Sequence, residues 1–442
     1  MHKPFKSRSL RWLIPLMAMF LIPLSTFASG TSEVPSIFGI RIEFILFALT
    51  LIGVAVFHKK TMYVALTGLV AVLIFKFAFD PSFNFVHHIT GTPEKEGEWR
   101  ILLNLLGLLF GFAILAKHFE ESKVPEILPK FLPGDWKGGL VLLFIIMVLS
   151  SFLDNIAAAM IGGTIAMVVF KGKVHIGFLA AIVAASNAGG AGSVVGDTTT
   201  TLMWIDGVEP VWVLHAFVAS IAAFVIFGTI GSIQQHRFQP IFKDPTINAR
   251  VDWGKLFIVL LILVGAIVTN FAFDFPALGV WIAILLGATF RKTPWYEMKN
   301  AWMGTIFLMS LVFIASTMPV EDLPPASWKS AFILGFVSAV FDNIPLTKLC
   351  LEQGGYDWGF LAFTVGFGGS MIWFGSSAGV ALSNMYPQAK NTVNYVKGGW
   401  HVTVAYIIGV FVMLYTVGWQ PHAPHKKVRG AEVPEMTISP KN

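Results

Sequence analysis

Three carboxylates lie inside long apolar stretches of the 442-residue chain: Asp154, Asp197 and Asp342. Burial favours the neutral acid, so each of these groups must find a partner, bind a cation or hold a proton. A carboxylate that releases a proton when it takes up a metal ion, and later reverses the exchange, is suited to ion coupling. The three residues are therefore predicted to bind Na⁺ or Li⁺ in exchange for a proton.

The residues near these carboxylates are mostly oxygen donors. Glycine-rich segments at 189–196 and 366–379 add exposed carbonyls and helix ends. Oxygen ligands without sulfur or clustered imidazole suit alkali or alkaline-earth ions or protons, and not zinc or copper. The amide and hydroxyl residues predicted to bind the cation or the proton are Asn155, Asn187, Thr198, Thr199, Thr200, Asn343, Ser376 and Ser377.

Simpler structural roles remain open for several of these residues. Asp197 could serve only as the N-cap of a helix that starts at Thr198, and Asn155 and Asn343 could only cap half-helices. The hydroxyls of residues 198–201 could bond back to their own helix. Capping and ion binding are compatible at a helix end, so these alternatives do not exclude a transport role.

Composition places the carboxylates in a membrane protein. Hydrophobic residues make up 55% of the chain and charged residues only 13%, against about 25% charged in a soluble domain. The single cysteine, Cys350, excludes a disulfide framework, an iron–sulfur cluster and a cysteine-rich zinc site. The net charge of +6 comes largely from Lys3, Lys6, Arg8 and Arg11, so no basic face for nucleic acid is indicated.

The N-terminal residues 1–28 are predicted to be a secretory signal peptide. A basic start is followed by thirteen apolar residues and then by small residues suited to cleavage. The alternative is an uncleaved first span, although thirteen residues are short for a bilayer of about 30 Å. Lys and Arg concentrate in alternate loops, which places the mature N-terminus outside a bacterial-type inner membrane. A polar tail, 420–442, ends the chain.

The sequence predicts an all-α polytopic protein with about ten full spans and two re-entrant hairpins. The hairpins, 138–170 and 327–352, are each interrupted by Asp-Asn and fit neither one helix nor two crossings. Irregular backbone at a hairpin tip is tolerated where protein or a water-filled cavity surrounds it. The predicted spans lie near 38–57, 62–80, 99–117, 176–206, 211–231, 255–273, 276–290, 300–318, 358–386 and 397–419.

Two halves of the chain, 29–231 and 255–419, resemble each other across a cytoplasmic linker at 232–254. The segment SSFLDNIA from Ser150 matches SAVFDNIP from Ser338, and GG-x5-GDT from Gly189 matches GG-x5-GSS from Gly368. Each half has three spans, a hairpin, a glycine-broken span (176–206 or 358–386) and a final span. Five crossings per half is odd, so the second half is predicted to be inverted, as in secondary transporters.

The motifs around Asp154-Asn155, from Ser186-Asn187 to Trp204, and in FDNIPL and GG-x5-GSSAG resemble the NhaD-type sodium/proton antiporters. This family belongs to the ion transporter superfamily, with arsenite permeases and citrate or dicarboxylate carriers. The resemblance implies a homodimeric transporter, not an enzyme, that needs no cofactor and works by alternating access between a scaffold and a mobile unit. It also implies that the cation and the proton are handled by Asp154, Asn155, Asn187, Asp197, Thr199, Thr200, Asp342 and Asn343.

Two departures from the family pattern leave other functions open. Alanines 157–159 replace the usual hydroxyl residues, and Lys348 lies one hairpin arm from Asp342. Lys348 could form a structural pair with Glu352, or act as a fixed charge that replaces one cation. The alternative function is coupled transport of an anion such as citrate, or arsenite efflux, although no arginine lies in the motifs to bind a carboxylate. An intramembrane aspartyl protease is disfavoured because Gly-x-Gly-Asp is missing.

Overall fold

The structure is a computed structural model that describes residues 34–57, 60–92, 96–242 and 250–422. The predicted signal peptide, part of the predicted linker and most of the predicted tail lie outside the described residues. Most of the described chain is helical, and a short antiparallel β-pair lies near its start, in which Ser36 pairs with Arg41.

The described elements up to residue 242 are two short strands, eleven α-helices and one 3-10 turn. They are β1 (Ser36–Ile37), β2 (Ile40–Arg41), α1 (Ile42–Val56), α2 (Thr61–Phe79), α3 (Phe85–Thr90), α4 (Trp99–Glu121), α5 (Val124–Ile127), α6 (Trp136–Ser150), α7 (Asn155–Val169), α8 (Ile176–Ala191), α9 (Thr198–Ile205), α10 (Pro210–Leu214) and α11 (Ala216–Phe238), with a 3-10 turn at Leu128–Phe131.

The described elements after residue 250 are nine α-helices, a π-helical turn and two 3-10 turns. They are α12 (Trp253–Phe273), α13 (Pro276–Phe290), α14 (Tyr296–Ser316), α15 (Trp328–Ser338), α16 (Asn343–Gln353), α17 (Trp358–Leu361), a π-helical turn at Ala362–Phe367, α18 (Ser377–Met385), α19 (Thr392–Gly398) and α20 (Trp400–Thr416), with 3-10 turns at Val320–Asp322 and Pro387–Lys390.

The helices form two groups. The outer group contains α1, α2, α4, α12, α13 and α14, and the inner group contains α6 to α9, α11 and α15 to α20. Small residues allow close packing within each group: a Cβ on Gly279 of α13 would lie 1.9 Å from the carbonyl oxygen of Gly265 in α12, as is common between helices in membranes. The groups meet where α4 and α14 contact α7, α9 and α16.

Large apolar side chains cover the outside of the molecule. Phe271 is 82% exposed, Phe290 73% and Val225 62%. A soluble surface exposes such side chains only singly or in small patches, so these helices face lipid. The chain is a multi-pass membrane protein.

The predicted count of ten full spans is not confirmed. Within the described residues five helices are long and apolar enough to cross a membrane, or six if the bent pair Thr392–Gly398 and Trp400–Thr416 is one span. Several other predicted spans are apolar helices of 10–17 residues, such as Ile42–Val56 and Pro276–Phe290. A 15-residue helix is only about 22 Å long.

Candidate ion-binding site

Two helix pairs turn at the Asp-Asn dipeptides that the sequence singles out. In α6–α7 the turn ends at Asp154, whose Oδ1 accepts a hydrogen bond of 2.9 Å from the backbone N–H of Ile156. In α15–α16 it ends at Asp342, whose Oδ1 accepts one of 3.0 Å from the N–H of Ile344. The aspartates are therefore the N-caps, and the alternative in which the two asparagines are the caps is wrong.

Two interrupted helices bring further N-termini to the same place. After α8 the chain is irregular from 192 to 197, and Asp197 caps α9 by accepting a hydrogen bond of 3.3 Å at Oδ1 from the N–H of Thr199. After the π-helical turn the chain is irregular until Ser376, whose Oγ accepts a hydrogen bond of 3.3 Å from the N–H of Gly379 and caps α18. Asp197 is thus a cap, as one alternative proposed, but capping occupies only Oδ1.

Each helix-pair turn contacts the start of one interrupted half-helix. The Thr198 hydroxyl donates to Oδ2 of Asp154 at 3.4 Å, and the Ser377 hydroxyl donates to Oδ2 of Asp342 at 3.4 Å. The four half-helices α7, α9, α16 and α18 therefore all begin close to these contacts. The capping carboxylates of α7, α9 and α16 face the positive ends of the helix dipoles.

A chain of amides links the two halves of the molecule. Nδ2 of Asn155 donates at 3.1 Å to both Oδ1 of Asn187 and Oδ1 of Asp197. Nδ2 of Asn187 then donates to Oγ of Ser370 at 2.9 Å. Sequence reasoning missed Ser370, although its position directly after Gly368-Gly369 was a signal that could have identified it.

At this site, three buried polar atoms have no hydrogen-bond partner among the described residues. They are Oδ2 of Asp197, Oγ1 of Thr199 and Nδ2 of Asn343. Asp197 is only 2% exposed, and a buried carboxylate oxygen without a partner is costly unless the group is protonated or binds a cation. Oδ2 lies 3.4 Å from where a Cβ on Gly366 would be, so glycine leaves space beside this oxygen.

The Thr200 hydroxyl holds the helix interruption together. Its Oγ1 donates to the carbonyl oxygens of Ser193 and Asp197, at 2.6 and 3.0 Å, and Oγ1 of Thr201 donates to the carbonyl oxygen of Val194 at 2.9 Å. The alternative in which a hydroxyl bonds back to its own helix is confirmed for Thr200, which bonds to the N-cap residue of α9, whereas Thr201 bonds to the interruption before the helix. The hydroxyl proton of Thr200 is therefore donated to backbone within the interruption.

A cavity of about 610 Å³ leads from the protein surface to this site, between the two helix groups. At its outer end lie Glu120 and Asn300, which are both exposed. The polar residues at its inner end are Asp154, Asn155, Asp197, Thr198, Asn343 and Ser377. Among the described residues no three His, Cys, Asp or Glu side chains are grouped to hold one metal ion, so Asp154, Asp197 and Asp342 are not gathered into a single ligand set.

Lys348 lies away from the cavity and is fully buried. Its Nζ lies 2.6 Å from Oε1 of Glu352, which confirms the structural pair. Nζ is also 3.0 Å from Oε2 of Glu98 and 3.5 Å from Oδ1 of Asp206, two partners that the sequence does not indicate.

The fold and the site define a polytopic membrane protein with buried carboxylates at the end of a polar cavity. No family model matches the chain. It is 27% identical to sodium/proton antiporter 1 of Arabidopsis thaliana over 62% of the chain and 53% of that protein. It is 24% identical to the Na⁺/H⁺ antiporter NhaD of Vibrio parahaemolyticus over 74% of the chain and 92% of that protein. Identity to NhaD of Halomonas elongata is 23%, over 92% of the chain and 95% of that protein.

The resemblance to NhaD-type sodium/proton antiporters that the motifs predicted is confirmed by these comparisons. The chain spans about half the length of the plant relative and nearly all of the Halomonas protein.

Proposed function

We propose that this chain is a secondary transporter that exchanges Na⁺ or Li⁺ for protons across a bacterial-type inner membrane. The relatives are named as antiporters, and the cavity supplies oxygen ligands of the kind that alkali ions prefer. The protein is a transporter rather than an enzyme, and its ligands are the transported ions.

The proposal rests mainly on the surroundings of Oδ2 of Asp197. This oxygen is buried and has no hydrogen-bond partner among the described residues, while Oδ1 is held by Asn155 and by the N-terminus of α9. A proton on Oδ2 or a cation beside it satisfies the group, and the two states exclude each other electrostatically. Competition for one carboxylate couples the two ions.

The two halves are proposed to be inverted repeats, each with a re-entrant hairpin and a broken span. Matching contacts support this. Oγ of Ser150 donates to the carbonyl oxygen of Ser186 at 2.6 Å, and Oγ of Ser338 donates to that of Val365 at 2.7 Å. In each half a hairpin arm is thereby bonded to the neighbouring interrupted helix.

The outer helix group is proposed to be the scaffold and the inner group the mobile unit of a homodimer. The cavity opens at the pole of Lys117 and Glu120, which the loop charges assign to the cytoplasm. The structure then corresponds to an inward-open state, and alternating access requires the inner group to move against α4 and α14.

The proposal predicts proton movement out of proteoliposomes whose internal pH is followed with a pH-sensitive dye. With an acidic lumen, external NaCl or LiCl should raise the internal pH, and citrate should have no effect. A response to citrate without a response to Na⁺ would instead establish the anion carrier. That alternative is not favoured, since the described residues lining the cavity include no arginine.

Ser370→Ala is expected to weaken cation binding without unfolding the protein. The substitution removes the acceptor that orients Asn187, and loss of such a supporting contact raises the Na⁺ concentration for half-maximal exchange about tenfold or more. Ser383→Ala is the matched control, because the Ser383 hydroxyl is also buried but bonds to the Val380 carbonyl oxygen of its own helix. Equal Na⁺ dependence of Ser370→Ala and wild type would contradict this role.

A further inference from the structure

The ionic cluster of Lys348, Glu98, Asp206 and Glu352 joins the two helix groups. Lys348 and Glu352 belong to α16 and Asp206 ends α9, all in the inner group, whereas Glu98 precedes α4 of the outer group. The four side chains are at most 5% exposed. The 3.0 Å contact between Lys348 and Glu98 therefore crosses the surface along which the groups must move.

The cluster lies at the pole opposite the open end of the cavity. Helices α9 and α16 both start at the ion-binding site and run towards the cluster, which places Asp206 about 12 Å beyond Thr198 and Lys348 about 7 Å beyond Asn343 along the helix axes. Helix α4 begins at this pole and ends beside the cavity mouth near Lys117. A small cavity of about 40 Å³, lined by Glu98, Asp206 and Asp274, reaches the cluster from this pole.

We propose that the Lys348 cluster is an ionic lock that closes the outward-facing side while the site is open to the cytoplasm, an inference that rests on the proposed antiport function. Opening the site to the outside separates Lys348 from Glu98 and admits water to both. Asp206 and Glu352 move together with Lys348, because all three belong to the inner group.

The energetics of a buried ion pair suit such a lock. Taking the two charges out of water offsets most of their attraction, so the intact buried pair is worth little relative to separated, hydrated groups. The pair therefore fixes the relative position of the two helix groups in the closed state but adds little to the stability of that state. A purely apolar contact of the same size would lose its stabilisation entirely on exposure to water.

The native cysteine reports on this lock. Cys350 lies on α16 two residues after Lys348, is 2% exposed and is the single cysteine of the chain. In right-side-out vesicles a membrane-impermeant maleimide should label it slowly in the wild type. Glu98→Gln keeps the size of the side chain and removes the carboxylate charge that pairs with Lys348 between the two helix groups. Labelling from outside should then accelerate on the order of tenfold.

Glu96→Gln is the matched control, because Glu96 lies in the same segment but pairs with Arg100 at 3.4 Å. Its labelling rate should equal that of wild type, and Cys350→Ser should abolish labelling. Unchanged labelling in Glu98→Gln, or acceleration only in inverted vesicles, would overturn the lock. Lys348→Gln and the double variant complete a cycle, in which strictly additive effects on the labelling rate would also overturn it.

The outcome of the labelling experiment can be distinguished from the outcome of the test for antiport. Sodium-dependent proton exchange with no change in Cys350 reactivity would remove the lock and leave antiport intact. If Glu98→Gln accelerated labelling but the wild type showed no sodium-dependent exchange, the lock would be established in a transporter of another substrate.

Discussion

Asp197→Asn is expected to reduce sodium-dependent proton movement to the level of protein-free liposomes. Asparagine caps a helix about as well as aspartate, so α9 should still form and the protein should insert and purify normally. The amide, however, has Nδ2 in place of Oδ2, so it can neither ionise nor exchange a proton for a cation. Dye-reported pH changes after NaCl addition, at matched protein content, measure the effect.

Asp135→Asn is the matched control for Asp197→Asn. Asp135 is exposed and caps α6 by accepting a hydrogen bond of 3.1 Å from the N–H of Lys137, so it shares the capping role without the buried site. Exchange in this variant should equal wild type. If Asp197→Asn also exchanged ions at the wild-type rate, Asp197 would be a cap and nothing more, and the proposed site would be wrong.

Gly196→Ala is expected to dismantle the site by a backbone clash. A Cβ on Gly196 would lie 2.0 Å from the carbonyl oxygen of Ser150, and a backbone oxygen cannot rotate away. The interruption before α9 would be pushed off the α6–α7 turn, so ion exchange should be lost. The free energy of unfolding should fall by at least about 1–3 kcal/mol, the cost of overpacking a well-packed interior. Thermal unfolding in detergent measures the fall as a lower Tm.

Alanine substitutions at two other glycines provide comparisons for Gly196→Ala. Gly375→Ala makes the corresponding clash in the second half, 2.5 Å from the carbonyl oxygen of Ala339, and should lower the Tm by less. Gly304 of α14 has no atom within 4 Å of an added Cβ, and alanine favours helix over glycine, so Gly304→Ala should leave the Tm unchanged or higher. A wild-type Tm for Gly196→Ala would show that the turn and the interruption do not depend on this close approach.

The residues at the centre of the site could be predicted because their types conflict with their surroundings. Asp154, Asn155, Asn187 and Asp197 are polar in apolar stretches. The structure joins Asn155 to Asn187 and Asp197 through hydrogen bonds, and it joins Asp154 to Thr198. Adjacent positions were harder to assign, since either residue of Asp-Asn could cap a helix. The choice depends on where the helix starts, and the sequence does not define that to a single residue.

Partners far apart in the sequence could not be predicted. Glu98 and Asp206 meet Lys348 only because α4, α9 and α16 converge at one pole, and neither position carries a motif. The predicted number of full spans is not confirmed for a related reason. Hydropathy detects an apolar stretch of spanning length, but an interruption or a bend within that stretch leaves each helix too short to count as a span.

Uptake of radioactive sodium into proteoliposomes with an acidic lumen tests the central claim most directly. With no sodium gradient imposed, the outward proton gradient should drive sodium to a higher concentration inside than outside. A protonophore together with valinomycin and potassium should collapse the accumulation, and Asp197→Asn should prevent it. Sodium that only equilibrates across the membrane, or that accumulates equally in Asp197→Asn, would contradict exchange of Na⁺ for protons at this carboxylate.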